Sequence, residues 1–320
     1  MKKHIIVTAV FFIFLFGLNI FSAFGQSNAN VSYYVKADGN DNNDGLTAEN
    51  PLRTLHSALE KTKSSDVNTI TVIGTLDKDS ELIGGFMSFS IGGFIFSLES
   101  NKEILITGYQ GASGTQRAVL SAINVNAYVV SVKGTDTNIR FEHIEIVNGG
   151  GRSNIGGLFI HDGSQVTLGP GAVVRDNAGV GVGISDGSCV IDGGEVQDNL
   201  DTGVMVINGS LTLNSGAISN NRSANTGGVS VGPGSRFLMS GGIISGNATT
   251  GNAGGVGVAE GGSFNQSGGT ITANTASRVG GGVVVLSGGS FNQTGGTIGN
   301  NMAAQSPNIF RQPGALGTNR

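Results

Sequence analysis

The chain has 320 residues, of which 55 are Gly, 5 Pro, 1 Cys and none Trp, and its net charge is −4. The Gly residues follow no three-residue period, which excludes a collagen helix, and the apolar content is ordinary, which argues against wholesale disorder. No basic stripe and no polybasic cluster occur, so neither nucleic acid nor an anionic lipid surface is an expected partner.

Residues 1–25 read as a secretory signal. Lys2, Lys3 and His4 precede the apolar run Ile5 to Phe21, and Ala23-Phe24-Gly25 places small residues before a cut at Gln26. The run is long, and its length also suits an uncleaved membrane anchor. No later segment is long enough to span a bilayer, so the expected location is secreted or cell-surface, with no membrane span in the mature chain.

Residues 26–62 form a cap. Val31 to Val35 is a short strand, and Asp38 to Gly45 is dense in Gly, Asn and Asp and reads as turn. Asn50 is placed as a helix N-cap with Pro51 at the first helical position. Leu52, Leu55, Ala58 and Leu59 then give a stripe at helical spacing. Such a helix covers the open end of a stack of strands.

Residues 63–155 carry short β-branched and aromatic runs, among them Ile70 and Val72, Ile104 and Ile106, Val129 to Val132, and Ile139 to Ile146. They read as irregular early coils. An unusually apolar insertion, 82–98, reads as an extra rung or hairpin, or else as a patch that meets a partner or membrane surface.

From 156 to 304 one unit recurs six times. Its markers are a Gly-Ser step (Ser164, Ser188, Ser210, Ser235, Ser263, Ser290), an aliphatic (Val174, Val196, Ile218, Ile244, Ile271, Ile298) and, three residues later, Asn177, Asn199, Asn221, Asn247, Asn274 and Asn301. A period of roughly 22–27 residues cannot enclose its own core, so neighbours must stack. Three short strands per unit predict a parallel β-helix with coils about 4.8 Å apart. The Asn file is expected to take the left-handed turn conformation and to bond side chain to side chain along the stack.

Alternation puts Cys189, Leu211, Phe237, Phe264 and Phe291 inside, together with Ile191, Leu213 and Met239 two residues on. Gln266 and Gln293 occupy that second inward file and are expected to bond one another as an amide ladder. Cys189, the lone cysteine, reads as a core thiol. Residues 305–320 show no strand pattern and read as a tail.

The opening Tyr33-Tyr34-Val35-Lys36-Ala37-Asp38-Gly39 to Gly45, with Asn50-Pro51-Leu52-Arg53-Thr54-Leu55, resembles the N-terminus of secreted right-handed parallel β-helix proteins of the pectate-lyase-like superfamily. The later units, such as Gly281-Gly282-Val283 with Gly289-Ser290-Phe291, resemble the Gly-Gly-rich repeats of bacterial surface proteins. The resemblance implies an all-β solenoid and an exported protein. The superfamily holds both enzymes and adhesins, so the resemblance implies no single activity.

Two functional readings follow. The first is a binding, adhesion or structural protein, directed at polysaccharide or surface proteins through a wet, nearly neutral ridge of Asn, Ser and Thr. The second is a calcium-dependent polysaccharide lyase, which needs carboxylates to hold Ca²⁺ and a base beside the uronate. Asp162 and Asp186 should stack, as should Asp176 and Asp198, and stacked carboxylates favour a cation. Asp38, Asp41 and Asp44 form a second, loosely calcium-loop-like group. Arg175 is a weak base candidate, since it lies next to Asp176. The scarcity of charge beyond Thr202, the lack of Trp for stacking on sugar and the uniformly short turns favour the first reading.

Overall fold

The computed structural model describes residues 31–318 except 63–67, 82–93, 101–102, 112–113, 116, 124 and 151–154. The expected signal and most of the apolar insertion lie outside the described residues.

Short β-branched runs between Gly-rich corners cannot pair within themselves, so each pairs in parallel with its equivalent one turn further on. The result is a right-handed parallel β-helix, the hand favoured by parallel crossovers. A first face of nine strands runs from Phe94–Glu99 and Tyr128–Lys133 through Leu158–His161, Val182–Ser185, Val204–Ile207, Val229–Val231, Val256–Val258 and Val283–Val285 to Ile309–Arg311. A second face carries Gln165–Leu168, Arg236–Met239, Ser263–Gln266 and Ser290–Gln293, among others. A third carries Val173–Arg175, Ile243–Ser245, Thr270–Thr272 and Thr297–Gly299. The strands Ser188–Gln197 and Ser210–Ser219 bend from the second face onto the third.

The inward files match the alternation. Ile218 pairs with Ile244, Ile244 with Ile271 and Ile271 with Ile298. Cys189, Leu211, Phe237 and Phe264 are register partners in sequence, and Phe237, Phe264 and Phe291 stack with ring centroids 4.7 Å apart. That distance equals the strand spacing, so identical rings on successive coils lie nearly parallel. Burying each such Ile or Phe contributes about 1.5–3 kcal/mol.

Where the repeat lengthens after Asn221, the added residues form a fourth, short sheet: Arg222–Ser223, Ala248–Thr249, Thr275–Val279 and Met302–Gln305. The last coils are thus four-sided.

Four local expectations are corrected. The cap helix spans Leu55–Lys61 and its N-cap is Thr54, whose hydroxyl accepts from Ser57 N at 3.0 Å, rather than Asn50. Leu52 is drawn into a parallel bridge with Val35, which keeps Asn50 and Pro51 out of the helix. Leu55, Ala58 and Leu59 still join the core and close the tube's end. The tail carries a strand: Ile309–Arg311 pairs with Val283–Val285, and Leu316 bridges Ser290. The left-handed residue of each coil is not the ladder Asn but the residue before it: Asp176, Asp198, Asn220, Gly246, Ala273 and Asn300, with φ between 52 and 67°. Gln266 and Gln293 form no ladder. Gln266 is 1% exposed and both its amide atoms lack a partner. Its Nε2 leans toward the corner at Gly296, where a Cβ would lie 2.6 Å away, instead of toward Gln293.

Candidate functional site

The acidic files expected from the repeat are present. The register His161 to Ser185 places Asp162 one coil from Asp186, and both take positive φ, 53 and 55°. Gly163 N donates to Asp186 O at 2.6 Å. The Asp162 carboxylate receives His161 Nδ1 at 3.0 Å. Among the described residues, Asp186 and Asp198 carry no ion pair. Asp176 is held by Arg175, which also reaches Glu145 at 2.6 Å. The hydrogen bond from Glu145 raises the Arg175 guanidinium above its ordinary range, and Asp176 adds to this. A general base works best with a pKa near the operating pH, so this setting suits Arg175 to holding carboxylates together.

In the N-terminal turn each carboxylate is taken up locally. Asp41 Oδ1 accepts from Arg53 N at 2.9 Å and Thr54 N at 3.0 Å, and its Oδ2 accepts from the Thr54 hydroxyl at 3.0 Å. Asp44 Oδ1 accepts from Leu46 N and from Asn50 Nδ2. Asp38 pairs with Lys36. Among the described residues no three His, Cys, Asp or Glu side chains converge on one point.

A cluster not anticipated from the sequence lies on the outer side of the first face. Leu158 and Ile160 point inward there, so Phe159 and His161 point out. Below them the register brings Ser131 under Phe159 and Lys133 under His161; one coil lower, Phe94 pairs with Tyr128. The rings gather. Phe159 lies 5.1 Å from Tyr128, 4.7 Å from His161 and 6.2 Å from Phe94, to which it is parallel within 7°. Phe94, Phe159 and His161 are half-buried. Burial pushes the Tyr128 phenol up to about 12.

His161 is clamped from both sides. Nδ1 faces Asp162, and Nε2 is 2.9 Å from the buried Ser131 hydroxyl. In the neutral ring, Nδ1–H donates to the carboxylate and Nε2 accepts from Ser131. Gly183, the next residue in the Phe159 file, leaves room for the rings. A Cβ there would stand 3.2 Å from Phe159 Cδ2 and 3.6 Å from the Tyr128 hydroxyl. From Val182 to Val285 the strands of this face carry no aromatic side chain, so the cluster is local. The sequence signal was present as the alternation in Leu158–His161, but the partners come from three coils.

Chemically, the cluster offers apolar ring surface rimmed by hydrogen-bonding and charged groups. Lys133 pairs with Glu99 at 2.8 Å, and the Glu99 side chain is 62% exposed. The Asp162 side chain is 70% exposed.

No protein-family model matches this chain, and no curated protein matches it in sequence. Among solved structures, it is similar to an alginate lyase from Paenibacillus sp. str. FPU-7, with 14% identity over 90% of this chain and 99% of the lyase and a TM-score of 0.50. A GH136 lacto-N-biosidase from Eubacterium ramulus aligns at 9% identity over 90% of this chain and 66% of that one, with a TM-score of 0.36. The first likeness is one of fold, and it agrees with the solenoid described above.

Proposed function

We propose that the chain is an exported carbohydrate-binding protein and that the outer cluster of Phe94, Tyr128, Phe159 and His161 is where the sugar sits. The supporting observation is the concentration of four rings on one face, next to Lys133, Glu99 and Asp162, where the strands from Val182 to Val285 carry no ring. Sugar rings present apolar C–H faces and polar rims, so half-buried aromatics flanked by polar groups match them. The fold is one that also carries a polysaccharide-active protein, the alginate lyase.

A polysaccharide array probed with the chain lacking residues 1–25, beside its Phe159→Ala variant, tests this. Retention of a defined glycan that drops at least tenfold in Phe159→Ala supports the proposal. Retention that is equal in both, or absent from both, refutes it.

A further inference from the structure

The rim of the ring cluster has a sign. Glu99, Lys133, His161 and Ser185 are successive register partners along the outside of the first face. Lys133 is the file's one permanent cation, and Glu99 already engages it. At the corner beside His161 stand Asp162 and Asp186, one coil apart in the same left-handed conformation. Among the described residues, Asp162 is met by His161 and Asp186 has no ion pair. A bound chain beside Phe159 and His161 therefore meets two exposed carboxylates, while Lys133, the cation of the file, is already paired. A uronate would add a third negative charge at this place. An amine would neutralise the charge already there.

Resting on the carbohydrate-binding reading, we propose that this site selects glycans with free amino groups, hexosamine units carrying –NH₃⁺, with the stacked Phe159 and His161 rings bordering the apolar side of the sugar and Asp162 and Asp186 taking the ammonium. The Ser131 and Asp162 contacts fix the imidazole 4.7 Å from Phe159, so the ring stack and the Asp162 carboxylate keep a constant relation. Exposed pairs of this kind are individually weak and screened by salt, so each carboxylate should contribute about two- to fivefold in affinity.

The test is calorimetric titration at about pH 7, above the ordinary carboxylate range and above the ordinary imidazole value. The probes are a glucosamine hexasaccharide, its fully N-acetylated counterpart and an oligoguluronate. The expected order is amine first, acetylated second and uronate last. Asp162→Asn and Asp186→Asn should each lower the amine affinity by two- to fivefold, Asp186→Asn should leave the acetylated probe unchanged, and added salt should narrow the gap. Equal or tighter binding of the acetylated probe, still lost in Phe159→Ala, overturns the amine preference and leaves the carbohydrate reading standing. Tighter binding of the oligoguluronate overturns the charge argument. No binding of any probe by the folded chain overturns both.

Discussion

Asn199 offers one side-chain oxygen, Oδ1, to both donors of Asn177: the backbone N at 3.2 Å and Nδ2 at 2.8 Å. The same bond pair recurs from Asn199 to Asn221, Asn221 to Asn247, Asn247 to Asn274 and Asn274 to Asn301. Each Nδ2 also donates to a carbonyl of the preceding coil, such as Asn221 to Val196 O at 3.0 Å. At the top Gly149 N donates to Asn177, and at the bottom Asn301 donates to Asn308. Every rung of this buried file is satisfied, so it orders the corner without leaving a polar group stranded.

Removing a middle rung should therefore cost far more than removing the end. Asn221→Ala leaves Asn199 N without its acceptor in a fully buried corner. A loss of about 3 kcal/mol is expected, against about 1 kcal/mol or less for Asn308→Ala, both read from urea midpoints. Equal losses would contradict the ladder's role.

Gln266 is the opposite case: a buried amide with nothing to bond. Gln266→Met continues the file of its register partner Met239 and removes the stranded dipole. The variant is expected to unfold at a higher temperature, by about 1–2 kcal/mol of added stability. A lower melting temperature would indicate that the amide is satisfied in solution.

Ala273 sits at φ +56° in the column otherwise filled by Asp, Asn and Gly. A β-carbon is unfavourable there, and Asn tolerates it best among side chains. Ala273→Asn should raise stability by roughly 0.5–1 kcal/mol in a denaturant titration. A neutral or negative effect would show that this corner does not feel the strain.

Burial pushes the Cys189 thiol up to about 12. The unfolded thiol ionises at about 8.5, so between these values the folded state holds a proton that the unfolded state has released. The resulting stability is present below the unfolded pKa and is lost as pH rises toward 12. Cys189→Val should flatten the alkaline fall in melting temperature measured between about pH 8 and 11. An unchanged slope assigns the fall to other groups, of which Tyr128 is the nearest in kind.

Much of this architecture is legible in the letters because the period forces equivalent residues into register. The Ile218, Ile244, Ile271 and Ile298 file, the inward Phe residues and the Asn ladder all follow from spacing. The left-handed column does not, since Asp176, Asp198, Asn220, Gly246, Ala273 and Asn300 share a conformation without sharing a letter. Thr54 displaces Asn50 as the cap because Leu52 pairs with Val35, a contact that local capping preference cannot foresee. The strand Ile309–Arg311 lacks the glycine flanks that mark the earlier coils, and only the exposed edge of Val283–Val285 recruits it. The ring cluster leaves no such mark in the spacing. Phe94, Tyr128 and Phe159 lie some thirty residues apart in sequence, and only the stacking of irregular coils brings them together.

Sugar on the first face beside His161 has a direct reporter. The imidazole proton resonances of the chain lacking residues 1–25, and so lacking His4, read this directly, because His56, His143 and His161 occupy different parts of the fold. Titration with a glycan that the array retains should shift the His161 signal, assigned through His161→Gln, and leave those of His56 and His143 in place. A bound glycan that shifts His143 or His56 and leaves His161 unmoved would contradict the claim.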